Sequence, residues 1–335
     1  MIKKIIKLLF ILVVIMLIYA NYPTIKKTLI NTYSDIESYV EKNGLNELKA
    51  KGYLIKESEV NNLKDSGING SSVTVNENFY PYYNLLDETE KKLYKQIYAN
   101  AENLSKEFIP NVVINKDKLN EVIEAVYNDH PEIFWLDTSY GYKYKEDNTC
   151  AQITLHFNET ANNIENSKQK FEANVNRIIE NANKLNNDYQ KEKYAHDALN
   201  NFIEYDTSAP LNQSAYSAIV NGRTVCAGYA KSFQYIMTKL GIPTYYVTGT
   251  ATGPHAWNII KLSDGYYNVD LTWDDTKKTG SYAYFNLTDE KISKNHTRSE
   301  KSNYLPSCSA TKYQYGYLDK AGEIADKIIN RKQEE

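Results

Sequence analysis

Residues 225–233 read V-C-A-G-Y-A-K-S-F and decide the fold that we expect for this chain. Cys226 follows a loop and opens a run of apolar residues at helical spacing, which Gly241 and Pro243 bring to an end. This pattern predicts a helix over about 226–240 with the cysteine in its first turn.

Two strand-like runs follow this helix. Residues 255–262 read H-A-W-N-I-I-K-L and residues 266–270 read Y-Y-N-V-D, so His255 begins one run and Asp270 ends the other. A direct pairing of these two residues needs a turn centred between Leu262 and Ser263, whereas the apparent turn is centred at Asp264. A bulge or a wider loop could close this gap, and the sequence does not fix the geometry.

Cysteine, histidine and aspartate in this order are typical of thiol acyl-transfer chemistry. A helix N-terminus and a nearby imidazolium both favour the thiolate form of a cysteine. We predict that Cys226 is the nucleophile, His255 the general base and later the acid, and Asp270 the group that orients His255. The alternatives are an inert packing cysteine and a core histidine.

Residues near this trio carry secondary predictions. Trp257 shares a strand face with His255 by the period of two, so it either walls the site or packs in the core. Tyr216, in the loop before the cysteine, is predicted with Trp257 to position the substrate. Tyr216 and Gln213 are also possible oxyanion donors, and core packing or turn structure is the other use we consider for them.

The remaining histidines and nearby carboxylates are predicted to lie outside the site. His130 precedes a proline and is interpreted as structural, His156 and His196 have no carboxylate signal around them, and His296 is expected in a surface loop. Asp274 and Asp275 are rivals of Asp270, but we expect them to cap a turn.

Four stretches resemble the core of the transglutaminase-like superfamily: residues 225–233, G-I-P-T-Y-Y-V-T-G (241–249), H-A-W-N (255–258) and Y-N-V-D-L-T-W-D-D (267–275). Residues 129–135 (D-H-P-E-I-F-W) resemble the bacterial, extracytoplasmic branch. The resemblance implies a papain-like Cys-His-Asp site. It also implies glutamine cross-linking or deamidation, peptidase activity or, as in some relatives, lost activity. It is strong from about 195 to 285 and does not cover the first ~75 residues.

Together these patterns predict an α+β fold, with a papain/transglutaminase-like core in which the helix bearing Cys226 packs on an antiparallel sheet bearing His255 and Asp270. An N-terminal α+β lobe precedes the core. The predicted segments are a signal peptide or membrane anchor (1–20), a stalk or linker (21–75), the lobe (76–160), the catalytic domain (161–310) and a C-terminal helix (311–335).

The N-terminus predicts export. Lys3, Lys4 and Lys7 precede an apolar stretch over 8–20, as in a secretory signal, although Ile18, the third residue before a cleavage after Ala20, is not small. We favour an uncleaved anchor, with the lysines held in the cytoplasm. The predicted location is therefore extracytoplasmic, membrane-anchored or secreted.

Composition limits the partners and cofactors. The 39 Lys and Arg against 42 Asp and Glu give a net charge of -3, which argues against nucleic-acid binding. The sequence has neither a Cys-x-x-Cys pair nor His-Glu-x-x-His, so no metal or other cofactor is expected. Cys150 and Cys308 could pair, or all three thiols could be free.

Two functions remain open from the sequence. The first is an enzyme that acts on amide bonds of proteins or peptides in the cell envelope or outside the cell, as a peptidase or deamidase or as a cross-linking enzyme. The second is a non-catalytic cell-surface scaffold on the same fold. Solvent access to the Cys226 sulfur is the feature that separates them.

Overall fold

The computed structural model describes residues 48–275 and 281–315. The predicted signal or anchor (1–20), the first part of the predicted stalk (21–47) and most of the predicted C-terminal helix (316–335) lie outside the described residues. Among the helices within the described ranges, none combines the length and the apolar character needed to span a membrane.

The described residues alternate between helices and short strands. In chain order the helices are α1 (Glu57–Val60), α2 (Pro81–Asn84), α3 (Glu88–Glu102), α4 (Lys116–Asp129), α5 (Ile164–Ala182), α6 (Asp188–Phe202), α7 (Cys226–Lys239), α8 (Leu271–Asp274) and α9 (Asp289–Ile292). The strands are β1 (Lys49–Leu54), β2 (Glu107–Phe108), β3 (Leu136–Tyr144), β4 (Cys150–Phe157), β5 (Glu204–Tyr205), β6 (Arg223–Thr224), β7 (Thr244–Thr250), β8 (Pro254–Leu262), β9 (Gly265–Val269) and β10 (Thr297–Arg298).

The N-terminal lobe is built on a four-stranded sheet in the order β1-β3-β4-β2. Strand β1 runs parallel to β3, from the Lys49–Ser139 pair to the Leu54–Tyr144 pair. Residues 49–54 fall in the segment predicted as a stalk. In the structure they form a strand of the lobe sheet instead. All six β1 residues are exposed, and this strand therefore lacks the alternation that would predict it.

Helices α3 and α4 cover the lobe. Asp87 caps α3 by accepting hydrogen bonds from the amides of Thr89 and Glu90 at 2.8 Å, and Glu90 returns a contact to the Asp87 amide at 2.9 Å. This reciprocal cap sets the start of α3 at Glu88. The apolar face of α4 is buried, and its members are Leu119, Val122, Ile123 and Val126.

The second part of the chain packs α7 against a four-stranded sheet in the order β10-β7-β8-β9. The β7–β8 and β8–β9 pairs are antiparallel. Every residue of α7 from Cys226 to Met237 is buried, which makes it the central helix of this core. The arrangement is the predicted α+β core, with the cysteine helix on an antiparallel sheet.

The strand-like run predicted over 266–270 ends one residue earlier in the structure. β9 ends at Val269, because the Asp270 side chain accepts hydrogen bonds from the Thr272 and Trp273 amides and turns the backbone into α8. Residues 281–286 form no strand, and Asn286 has a φ of 55° that breaks an extended backbone.

The lobe and the core share contacts along α7. The amide nitrogen of the Gln234 side chain donates to the Asn128 carbonyl at 3.0 Å, and the Tyr82 hydroxyl donates to the Tyr246 carbonyl at 2.8 Å. The described residues, 48–275 and 281–315, cluster as one compact unit. The helix that begins with Cys226 therefore also forms the junction with the lobe.

Candidate active site

Cys226 is the first residue of α7. Val225, at the N-cap, forms no side-chain capping hydrogen bond. The side chain of the N-cap residue therefore does not occupy the positive end of the helix dipole. The cysteine is 1% exposed and packs with Ala227, Ala230, Tyr246 and Ala256. The nucleophile predicted from the sequence thus lies at a helix N-terminus, but it is buried.

Gly228 allows the chain before Cys226 to fold tightly onto the helix. A Cβ atom at this position would lie 1.8 Å from Thr224 Oγ1 and 3.0 Å from the Ser214 carbonyl oxygen. Only a residue without a side chain fits between these atoms. This glycine therefore helps to fix the position of the first turn of α7.

His255 and Asp270 meet through a diagonal contact between strands. The observed register pairs Leu262 with Gly265 and Asn258 with Val269, and its continuation places Asp270 opposite Trp257. His255, two residues before Trp257, shares its face, so His255 Nε2 lies 2.7 Å from Asp270 Oδ2. The bulge or wider loop that the sequence left open is not needed.

The Cys226 side chain also interacts with His255. Because Nε2 contacts Asp270, Nδ1 is the ring nitrogen left for the thiol. Burial opposes protonation of His255, but the charge and hydrogen bonds of Asp270, helped by Cys226, outweigh it and raise the pKa of His255 to about 10. The structure thus brings the three predicted residues together around an imidazole that holds its proton at neutral pH.

Asp270 is fully buried and is held from both sides. Burial would raise its pKa, but His255 and His296 outweigh that effect and lower it. Its Oδ1 accepts hydrogen bonds from the amides of Thr272 at 2.9 Å and Trp273 at 3.2 Å. The carboxylate therefore stays charged in a site with little solvent.

His296 is a member of the site that sequence reasoning placed wrongly. It was expected in a surface loop, yet it is 3% exposed and its Nε2 lies 2.9 Å from Asp270 Oδ2. Both histidines thus contact the same carboxylate oxygen. The surrounding sequence, K-N-H-T-R (294–298), carries no periodic signal, so only the tertiary fold reveals this contact.

Aromatic rings enclose the two histidines. Trp257 is 1% exposed and stacks on His255 with ring centroids 6.1 Å apart, so it is both a core residue and a wall of the site. Trp273 lies 6.0 Å from His255 and 4.6 Å from His296. These rings limit the access of water to the buried charges.

Tyr216 lies in an aromatic cluster of the core. Its ring is 4.8 Å from Phe134 and 6.4 Å from Phe171. These contacts give it a packing role, and the substrate-positioning role stays a prediction. Gln213 is buried in the loop before Cys226 and lines a cleft.

That cleft, of about 200 Å³, lies between the lobe and the loop at 211–214. The lobe contributes Tyr127, Leu136, Asp137, Thr138 and Asn158. The Val225 amide donates to the Asn212 carbonyl at 3.0 Å, so the loop is tied to the residue before Cys226.

The rival carboxylates have other partners. Asp274 Oδ2 lies 3.3 Å from His196 Nε2, and Asp275 accepts a hydrogen bond from the Tyr229 hydroxyl. His196 also contacts Asp197 at 3.1 Å, so the expectation that it lacks carboxylate neighbours is wrong.

His130 and His156 form contacts outside the site. His130 lies between the Tyr94 hydroxyl and Glu132 in the lobe, at 2.8 and 2.6 Å. His156 Nδ1 lies 2.9 Å from the Ser139 hydroxyl on the lobe sheet. Both histidines thus contact residues of the lobe.

His255, Asp270 and His296 are also a group that could hold a metal ion, since their ligand atoms lie within 4.8 Å of one another. The nitrogen–oxygen separations of 2.7 and 2.9 Å are hydrogen-bond distances. Ligands at tetrahedral zinc distances would stand about 3.3 Å apart. The observed spacing therefore fits shared protons better than a shared zinc ion.

The three cysteines are all free and buried. Of the two arrangements left open by the sequence, the structure therefore has no Cys150–Cys308 bridge. Burial raises the pKa of Cys150 and of Cys308 to about 12. These two thiols are protonated at neutral pH.

Residues 174–271 match the model of the transglutaminase-like superfamily. Cys226, His255 and Asp270 all lie inside this range, and this part of the chain is a transglutaminase-like domain with the predicted α+β core.

Two solved structures are similar over parts of the chain. One is a candidate cysteine protease from Cytophaga hutchinsonii, 25% identical, with 29% of this chain and 37% of that chain aligned at a TM-score of 0.27. The other is described as a TGase, 17% identical, with 52% of each chain aligned at a TM-score of 0.30. The chain thus spans 37% and 52% of these two structures. A comparison with curated proteins finds no match.

Proposed function

We propose that this chain is a thiol-dependent acyl-transfer enzyme that acts on amide bonds of proteins or peptides. One observation carries the proposal: His255 Nε2 lies 2.7 Å from the Asp270 carboxylate, and the same imidazole interacts with the Cys226 side chain. A thiol, an imidazole and a carboxylate in this order form the relay that such chemistry needs.

The relay supports a reaction in two halves. The Cys226 sulfur bonds to the amide carbonyl carbon, the carbon–nitrogen bond breaks, and the His255 proton goes to the leaving ammonia or amine. The N-terminus of α7 lies where the oxyanion develops and favours its negative charge. Water or an amine then attacks the thioester, His255 accepts its proton, and the carbon–sulfur bond breaks.

The raised pKa of His255 suits this order of events. With a pKa of about 10, the imidazole carries its proton at neutral pH and is ready to protonate the leaving group. Asp270 holds the ring by Nε2, which leaves Nδ1 as the nitrogen available to the thiol. We propose that the substrate approaches through the cleft beside residues 211–214.

Intact-mass analysis tests the proposal. The full chain is incubated with casein and a biotin-linked primary amine, and Cys226→Ala is the matched control. Cysteine-dependent incorporation of biotin means transamidation, whereas casein fragments, or replacement of amide nitrogen by oxygen without biotin, mean hydrolysis. Biotin or fragments produced equally by Cys226→Ala would contradict the assignment of the nucleophile.

The burial of Cys226 favours a second candidate function. With 1% of the residue exposed, the sulfur is covered in this conformation, as expected of a non-catalytic scaffold on this fold. Iodoacetamide labelling at mildly acidic pH separates the two candidates. A folded chain whose Cys226 resists the reagent as firmly as a buried core thiol supports the scaffold.

We also propose an extracytoplasmic location, with residues 1–20 as a membrane anchor or signal. The proposal is based on the N-terminal lysines and the apolar stretch that follows them. Membrane fractionation of the full chain beside a variant without residues 1–20 tests it. Equal recovery of both in the soluble cytosolic fraction would contradict the proposal.

A further inference from the structure

His296 occupies a short connection between α9 and β10, and its ring is fully enclosed. Trp273 lies 4.6 Å from the ring centroid, Trp257 5.1 Å and Tyr284 5.6 Å. Its Nε2 is 2.9 Å from Asp270 Oδ2, the oxygen that also contacts His255. A histidine that only filled space in the core would not need to contact the same carboxylate oxygen as His255.

Proton positions follow from the chemistry of the partners. An ionised carboxylate only accepts hydrogen bonds, so both nitrogens at Asp270 Oδ2 must carry a proton. His296 Nδ1 in turn lies 2.7 Å from Asn295 Oδ1, and the Asn295 side-chain amide nitrogen donates to the Tyr284 hydroxyl at 2.7 Å.

The contact with the carboxylate places a proton on His296 Nε2, directed at Asp270 Oδ2. We propose that His296 is a positioning residue of the Cys226–His255–Asp270 site, which donates a second hydrogen bond to Asp270 Oδ2 and keeps the carboxylate charged and aimed at His255. The role in catalysis rests on the proposed function, but the donation itself does not.

Few titratable groups face Asp270 and His296. His255 faces Asp270 from β8, with Cys226 of α7 behind it, while Asp274 of α8 adds a like charge. The like charge of Asp274 disfavours the charged form of Asp270. A second hydrogen-bond donor to Asp270 offsets this effect by stabilising the carboxylate. Loss of that donor should raise the pKa of Asp270 and so require a higher pH before the site is assembled.

The rate of Cys226 alkylation by iodoacetamide, followed against pH in the full chain, measures this effect without a substrate. His296→Leu removes the donor and keeps much of the volume, whereas His296→Gln places an amide NH₂ near the position of Nε2. We expect the acid limb of the profile to move up by about one pH unit in His296→Leu. We expect His296→Gln to restore most of the wild-type profile.

Nuclear magnetic resonance of ¹⁵N-histidine protein gives a readout that does not depend on a reactive thiol. Two hydrogen-bonded Nε2 protons are expected, from His255 and His296, and the His255 signal should shift in His296→Leu but much less in His296→Gln. An unchanged His255 signal in folded His296→Leu overturns the proposal, as does an equal shift in both variants. If wild-type Cys226 is unreactive while these signals behave as expected, the enzymatic function fails and the positioning contact stands.

Discussion

Lys231 of α7 places its side-chain nitrogen 3.3 Å from the centre of the Tyr127 ring in the lobe. The lysine is 4% exposed, and burial is the only cause that shifts its pKa among the described residues. Burial lowers the pKa of Lys231 well below its usual 10.5. The junction between lobe and core therefore contains an amine that loses its proton more readily than the amine of an exposed lysine.

Lys231→Met should stabilise the protein at neutral pH. As pH falls below 10.5, the unfolded state takes up a proton that the folded state resists, so the lysine costs stability in that range. We expect a gain of at least about 1 kcal/mol in the free energy of unfolding at neutral pH, shrinking as pH approaches 10.5. Urea denaturation at several pH values measures it. Lys239→Met, on the exposed side of α7, is the control, and an equal gain there would contradict the explanation.

Asp270→Asn should disable the site while leaving the fold intact. The asparagine oxygen can still accept hydrogen bonds from the Thr272 and Trp273 amides, but the charge that raises the pKa of His255 is lost. We expect Cys226 alkylation at neutral pH to slow by about 10²- to 10⁴-fold. Asp188→Asn removes an exposed charge from α6 as a control. A labelling rate within about twofold of wild type would contradict the role of Asp270.

Gly228→Ala should destabilise the helix start. The added Cβ would meet Thr224 Oγ1 at 1.8 Å and could be accommodated only if the loop moved. We expect a loss of more than about 2 kcal/mol by thermal or urea denaturation. Gly253→Ala is the matched control, because a Cβ there has no atom within 4 Å, and it should stay within about 0.5 kcal/mol. Equal losses would show that the contact with Thr224 is not the cause.

Iodoacetamide should modify Cys226 in the folded protein and spare the other two thiols. Burial raises the pKa of Cys150 and Cys308 to about 12, so at neutral pH few of these thiols are thiolates. Peptide mass analysis before and after unfolding in urea identifies the sites. All three should react once unfolded, and labelling of Cys150 as fast as Cys226 in the folded chain would be the contrary result.

Glu192→Gln should flatten the pH dependence of stability. Burial is the main cause that raises the pKa of Glu192 to about 8 from 4.5, against the opposing effects of Asn286 and His196. Between about pH 4.5 and 8 the unfolded state loses a proton that the folded state keeps, so stability falls as pH rises through this window.

Glutamine has no proton to lose at this position, so the advantage of Glu192→Gln should grow with pH to at most about 5 kcal/mol. Denaturation midpoints at pH values across that window test this expectation. Glu180→Gln, an exposed residue of α5, should change little. Parallel curves for wild type and Glu192→Gln would contradict the buried-acid explanation.

The sequence predicts the elements whose spacing is regular. The helix expected over 226–240 is observed from Cys226 to Lys239, and the strand expected over 255–262 is observed from Pro254 to Leu262. Both have long apolar patterns and clear turn residues at their ends. The placement of the cysteine at a helix start and of His255 on a strand follows from these patterns.

Features that depend on tertiary contacts could not be predicted in this way. His296 reaches Asp270 from 26 positions along the chain, through a connection without periodicity. The end of β9 depends on a side-chain cap from Asp270, and the exposed strand β1 depends on its pairing with β3. In each case the deciding interaction joins residues that no local pattern relates.

The burial of Cys226 weakens the apparent affinity of this site for every ligand, because the protein must open before the ligand can reach the sulfur. A ligand must reach a sulfur in a residue that is 1% exposed, so it binds only the fraction of molecules in which the cover has opened. If that fraction were about one in a hundred, the apparent dissociation constant would be about 100-fold weaker than the intrinsic one. A partner that held the opened conformation would remove this penalty and sensitise the thiol without touching it.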